Sequence, residues 1–210
     1  MRKIDRLVSP AACLMADNIS TDIISPSYLY LRPRSAYATG LFSPWRYNED
    51  GSPNADFPLN QPGMGEAKIL VTGPNFGCGS SREIAVWCLQ DYGIDCVIGT
   101  SFGDIFFENA LKSGLVAIKL AEADVERLVS VLQVSDQPVL VVDLTSQTIG
   151  MPDATAMPFA MDEFRRTAHI DGLDEIDIIL RCLPDIESFQ HRAHTETPWL
   201  LESTRPAIQS

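Results

Sequence analysis

Cysteine pairs at metal-binding spacing are missing from this chain. Its five cysteines, Cys13, Cys78, Cys88, Cys96 and Cys182, are odd in number and none stands at C-x-x-C spacing. That excludes a disulfide framework, a zinc ribbon and a recognisable iron–sulfur ligand run. Histidine is scarce too: His169, His191 and His194 sit late in the chain without evident ligand partners, so no metal is expected on this chain alone. No apolar run approaches the ~18–20 residues of a membrane span, and Met1 to Ser9 holds no signal-like stretch. A cytoplasmic protein that avoids the membrane is therefore expected. Basic residues are also few, 16 Lys and Arg against 28 Asp and Glu, for a net charge of −12. That argues against nucleic acid, whose phosphates require clustered cations. It leaves room for a small anionic substrate gripped by a few well-placed arginines.

What is present is an ordinary globular composition, 45% apolar and 21% charged over 210 residues, enough for one large domain with its own core. Short apolar runs at Lys68 to Thr72, Cys96 to Gly99, Leu115 to Leu120 and Val139 to Leu144 read as strands, with Thr148 and Ile149 completing a hairpin. Helices are predicted over Glu83 to Asp91, closed by Gly93, and over Ile105 to Lys112, closed by Gly114. Further helices are predicted at Glu122 to Leu132, Met161 to Ala168 and Leu183 to His191. Alternating strands and helices specify an α/β fold with a mainly parallel sheet flanked by helices. The extra strands at each end suggest a second β layer. From Tyr37 to Gly65 the chain is rich in Pro, Gly, Asn and aromatics, a long functional loop whose Phe42, Trp45, Tyr47 and Phe57 serve as anchors. The tail after His191 is expected to be poorly structured, with Trp199-Leu200-Leu201 as a docking candidate.

The chemically informative segment is Gly77-Cys78-Gly79-Ser80-Ser81-Arg82-Glu83, between a strand and a helix. A helix start presents unpaired N–H groups and positive partial charge, and preceding glycines let backbone approach a bound carboxylate or phosphate. The segment is neither a P-loop nor a nucleophile elbow. Its bland reading is a capping box between Ser80 and Glu83. Arg82 weighs against that, because a cation in the first turn opposes the helix dipole and calls for an anion nearby. Ser20-Thr21-Asp22-Ile23-Ile24-Ser25-Pro26 reads as a polar turn, and Arg32-Pro33-Arg34 as two solvated cations about a rigid proline.

These residues, taken together, resemble the small subunits of bacterial 3-isopropylmalate dehydratases, in the aconitase superfamily. The likeness runs from GCGSSRE through Trp87 to Gly93, Val97-Ile98, Ser101 to Phe107 and Leu115 to Leu120. It takes in STDIISP, Leu41-Phe42 with Trp45-Arg46 upstream, and Phe164-Arg165-Arg166 with Gly172-Leu173-Asp174 downstream, covering about residues 5 to 190. The resemblance implies a swivelling β/β/α domain over about residues 1–190, with a mobile substrate loop at about 28–65 and a tail at 191–210. It implies docking onto a large subunit that carries a [4Fe–4S] cluster, none being bound by this chain. The implied reaction is dehydration and rehydration of a small dicarboxylic acid, moving a hydroxyl between adjacent carbons, as in leucine biosynthesis. In the roles it implies, Ser80 is the base and Asp22 a supporting acid. Ser81 offers its backbone N–H, Arg82 and Arg34 grip a substrate carboxylate, and Arg32 lies where substrate preference is set. Ile84 stands where the family usually has His, and Val86-Trp87 where a Pro-Trp pair is usual. The alternatives are another substituted malate as substrate, a non-catalytic binding paralogue, or a stand-alone carboxylate enzyme using His169. Self-association of the isolated chain stays open.

Overall fold

In the computed structural model, residues 1–80 and 82–199 are described. The described chain divides into two compact units, one over residues 1–172 and one from residue 173 onward. The first unit is built on a seven-stranded sheet in the order β4-β3-β2-β1-β5-β6-β7. Its elements are β1 (Arg6–Leu14), α1 (Thr21–Ile24), α2 (Tyr37–Gly40), α3 (Ser43–Arg46), β2 (Ile69–Thr72), α4 (Glu83–Tyr92), β3 (Cys96–Gly99) and α5 (Asp104–Ser113). They continue as β4 (Val116–Lys119), α6 (Glu122–Gln133), β5 (Val139–Asp143), β6 (Thr148–Gly150), β7 (Ala156–Pro158) and α7 (Glu163–Asp171). Three 3₁₀ turns, Ser27–Leu31, Arg34–Ala36 and Pro58–Asn60, lie between β1 and β2.

Strand β1 joins two halves of the sheet. Its residues 11–14 pair in parallel with β2, and its residues 6–10 pair antiparallel with β5. The parallel half continues through β3 and β4, and the antiparallel half through β6 and β7. The extra strands thus extend one seven-stranded sheet, and their inner side chains Leu140, Val142 and Ile149 share a core with Ile69, Val71 and Ile98. β1 escaped the sequence reading because Ser9-Pro10-Ala11-Ala12 lacks β-branched residues. Pro10 is tolerated because it sits where the pairing changes from β5 to β2, so little of the ladder depends on its missing N–H.

Both faces of the parallel half are covered, so every residue of β2 and β3 is buried. The side-chain period of two sends Ala12, Leu70 and Val97 into one core with α4 and α5, and Ala11, Ile69, Val71 and Ile98 into the other with α6. Ile84, on the inner side of α4, is buried. The segment 37–65 is pinned by its apolar and aromatic side chains, with Leu41, Phe42, Phe57 and Leu59 buried. Arg46 ties it further: Nη1 donates to the Ala38 carbonyl at 3.0 Å, and the guanidinium lies 4.5 Å from the Tyr92 ring centre.

The second unit carries α8 (Glu175–Arg181) and α9 (Leu183–Glu196). α8 opens with a capping box between Asp174 and Asp177 that the sequence reading passed over. α9 runs to Glu196, five residues beyond the predicted end and into the expected unstructured tail, because no breaker precedes Pro198. Trp199 is exposed, while Leu200 and Leu201 lie outside the described residues. No described helix is long and apolar enough to cross a membrane.

Two stability predictions follow from the packing. Phe42 holds a left-handed backbone (φ 51°) that a bulky residue adopts only under constraint, and its ring packs on Phe57 and Phe76. Phe42→Ala should cost about 3–5 kcal/mol, read as a lower denaturant midpoint, with new proteolytic cleavage within 48–56. His169 is buried on α7 with Nδ1 unpartnered, and burial, aided by the Arg165 charge, pushes its pKa down to about 4. The unfolded chain therefore takes up this proton first as pH falls. Stability should drop by roughly 3 kcal/mol between about pH 6.5 and 4, and His169→Phe should flatten that slope in pH-dependent unfolding.

Candidate functional site

The loops leaving the carboxyl ends of β1, β2 and β3 are laced together. Gly77 N–H donates to the Ile19 carbonyl at 2.7 Å, Thr21 N–H to Cys78 O at 2.9 Å, and Asn18 N–H to Pro74 O at 2.9 Å. From the β3 side, Asn75 N–H donates to Ser101 Oγ at 2.8 Å and Gly103 N–H to Phe76 O at 2.8 Å. The Asn75 amide donates to Asn18 Oδ1 at 2.7 Å, and the Cys78 thiol to Asn18 O at 3.3 Å. Below this lacing lies an aromatic floor of Phe76, Phe102 and Phe106, with Phe76 edge-on to Phe106 at 5.3 Å. The β2–α4 loop is thereby fixed at the carboxyl edge of a parallel sheet, where open α/β folds bind ligands.

Ser80 projects from this loop and is exposed. The capping-box reading does not hold, because α4 begins two residues too late for it. The N-cap is Arg82, in an extended conformation and without a side-chain capping bond. Ser80 is left outside the helix, at its positive end. Ser81 lies outside the described residues.

Arg82 finds the anion that its position demands. Its Nη1 lies 2.6 Å from Asp22 Oδ1, in the first turn of α1, and its guanidinium sits 5.2 Å from the centre of the Tyr30 ring. The contact with Asp22 is an ion pair without good hydrogen-bond alignment, since Nη1 is buried with no bond of acceptable angle. The structure thus brings Ser80, Arg82 and Asp22 to one place.

Arg34 is placed elsewhere. Its Nε donates to Asp91 Oδ2 at 2.9 Å and its Nη2 to Asp91 Oδ1 at 3.0 Å, with the guanidinium 5.5 Å from the Trp87 ring centre. This hydrogen-bonded carboxylate holds the guanidinium pKa above its ordinary value. Asp91 lies nine residues beyond Arg82, about 13 Å along the helix. Arg32 is exposed on a surface cavity with Tyr28, Thr39, Ser43 and Tyr47. His169 is buried while Ser80 is exposed, so the two do not form a serine–histidine pair here. Sequence reasoning missed Tyr30, Asp91 and Trp87 as arginine partners. One signal was available: an aspartate in the last turn of a helix opposes the dipole and calls for a cation.

The aconitase C-terminal domain family matches residues 15–123. The chain is 44% identical over 200 residues to the 3-isopropylmalate dehydratase small subunit of Rhizobium rhizogenes, covering 95% of this chain and 99% of that protein. It is 46% identical to the protein of the same name from Rhodopseudomonas palustris, covering 95% and 100%. Among solved structures, it superposes on a 3-isopropylmalate dehydratase of Methanocaldococcus jannaschii with a TM-score of 0.62 and 25% identity, covering 88% and 99%.

The loop conformation depends on Gly77, at φ 75°, where any Cβ would run into the Phe106 ring. Gly77→Ala should destabilise the chain by about 2–4 kcal/mol, seen in thermal unfolding. It should also lower activity in the assembled enzyme by displacing Ser80.

Proposed function

Because the chain belongs to the 3-isopropylmalate dehydratase small-subunit family of the aconitase superfamily, we propose that it interconverts 2-isopropylmalate and 3-isopropylmalate by dehydration and rehydration, acting with a large subunit. The observation that carries the site assignment is the exposed Ser80, free of capping duty, at the same helix end as an Arg82 anchored by Asp22.

In this reading Arg82 grips a substrate carboxylate through the N–H groups that Asp22 leaves available. Ser80 takes the proton from the carbon beside that carboxylate. A serine hydroxyl is a poor base, and the N–H groups at the start of α4 supply the positive field that lets its oxygen carry charge. Asp22 keeps Arg82 aimed. Arg34 reaches the substrate only if its pair with Asp91 opens as the domain swivels against its partner. Arg32, with the neighbouring apolar and aromatic residues Tyr28 to Leu31, borders the region that distinguishes one substituted malate from another.

Three of the chain's five thiols are poorly suited to an iron–sulfur centre. Cys88 and Cys96 belong to cores on opposite faces of the sheet. Burial pushes Cys13 up to about 11, Cys88 up to about 12 and Cys96 higher still, where thiolate ligands are disfavoured. We assign the [4Fe–4S] cluster to the large subunit, where it supplies the Lewis acid for the departing hydroxyl. A cytoplasmic location accords with this assignment.

The test is reconstitution. The chain, co-expressed anaerobically with the large subunit, should form the unsaturated acid from 3-isopropylmalate, followed by ultraviolet absorbance. Ser80→Ala should reduce turnover by at least about 100-fold. Full turnover by Ser80→Ala would remove the base assignment. A formed complex with an intact cluster that leaves 3-isopropylmalate untouched would shift the substrate to another substituted malate.

A further inference from the structure

Tyr30 presents an aromatic ring to solvent, 54% exposed, on a turn anchored through Tyr28 and Leu29. Leu29 beside it is buried against Gly40, where a Cβ would meet the Leu29 side chain at 2.5 Å. Tyr28 on the other side of Leu29 bonds Ser43 Oγ through its hydroxyl at 3.0 Å. The 3₁₀ turn Ser27–Leu31 is therefore fixed from beneath, and Tyr30 is held out from it. Its ring meets one group that matters to the site: the Arg82 guanidinium, 5.2 Å from the ring centre. Arg82 needs such support. It is a cation at the positive end of α4, its side chain is 19% exposed, and its contact with Asp22 lacks hydrogen-bond alignment.

We propose that Tyr30 is a positioning residue for substrate binding, its ring holding one face of the Arg82 guanidinium while Asp22 holds an edge, so that the remaining N–H groups point at the substrate carboxylate. This rests on the reading of Arg82 as the carboxylate grip. A guanidinium is planar, so a carboxylate at one edge and a ring on one face fix both its rotation and its tilt. Asp22 and Tyr30 lie eight residues apart, on consecutive turns. One short stretch thus supplies both restraints, and movement of that stretch moves Arg82 with it.

The test has two arms. In the assembled enzyme, Tyr30→Leu should raise KM for 3-isopropylmalate by about 3- to 10-fold at nearly unchanged kcat, because Arg82 holds the carboxylate in ground and transition states alike. Tyr30→Phe and Tyr30→Trp should restore KM, since the ring and not the hydroxyl acts. A merely structural role would move thermal stability and kcat without this ranking by ring. In the full-length chain labelled at arginine nitrogen, the Arg82 Nε–H resonance, assigned by its loss in Arg82→Lys, should be shielded by the ring. It should move downfield in Tyr30→Leu and stay in place in Tyr30→Phe. An unmoved resonance in Tyr30→Leu, or a KM unchanged by that substitution, overturns the proposal. If the wild-type complex does not act on 3-isopropylmalate, the proposed substrate fails, and the resonance still decides whether Tyr30 holds Arg82.

Discussion

Helix α4 has a cation at its N-cap and an anion in its last turn, and the architecture of the site answers both. Arg82 stands at the helix N-terminus, where the dipole favours anions, and Asp91 stands in the last turn, where it favours cations. Each is corrected from one stretch of chain: Asp22 reaches Arg82, and Arg34 reaches Asp91. The two pairs are about 13 Å apart along the helix, so residues 20–36 are strapped along its length. Neither pair contributes much stability alone, being partly solvated and open to screening. Their consequence is geometric. A loop that would otherwise wander is referenced at two points to the helix that carries the candidate base.

That strap works because the other end of the loop system cannot shift. The lacing at the carboxyl edge of β1, β2 and β3 combines backbone bonds with the side chains of Asn18, Asn75, Cys78 and Ser101, and it rests on an aromatic floor without room for a Cβ at Gly77. Strand β1 feeds both halves of the sheet, so the loop after it inherits the rigidity of its pairing with β2 and β5. An exposed serine on a rigid edge can be presented repeatedly in one geometry, as a base requires when its substrate is held partly by another protein.

The parallel core was legible because its strands are continuous apolar runs and its helices end at glycines: Gly93 and Gly114 adopt the left-handed conformation their positions implied. β1 was not, because Ala11 and Ala12 say little about strand preference and the pairing that stabilises it is remote in sequence. The motif 77–83 did not disclose its own geometry. Ser80 and Glu83 have capping-box spacing, yet the extended backbone of Arg82 delays the helix, a choice set by tertiary contacts with Asp22 and Tyr30. Arg32-Pro33-Arg34 read as two solvated cations, but the proline holds an extended backbone and the two side chains part: Arg34 goes to α4 and Arg32 to the surface.

Arg34 sharpens what a swivelling domain must do. In this arrangement its guanidinium already has a bidentate carboxylate and an aromatic face, much of what a substrate would offer it. A substrate carboxylate competes with Asp91 only if it is better desolvated, since the Asp91 pair sits where water weakens it: the Arg34 side chain is 61% exposed. Docking a large subunit over this face would remove that water from both contacts at once. The side of α4 that ended up drier would then hold the arginine. On the proposed function, a small subunit built in this way would tie the state of residues 20–36 to the presence of its partner through ordinary electrostatics.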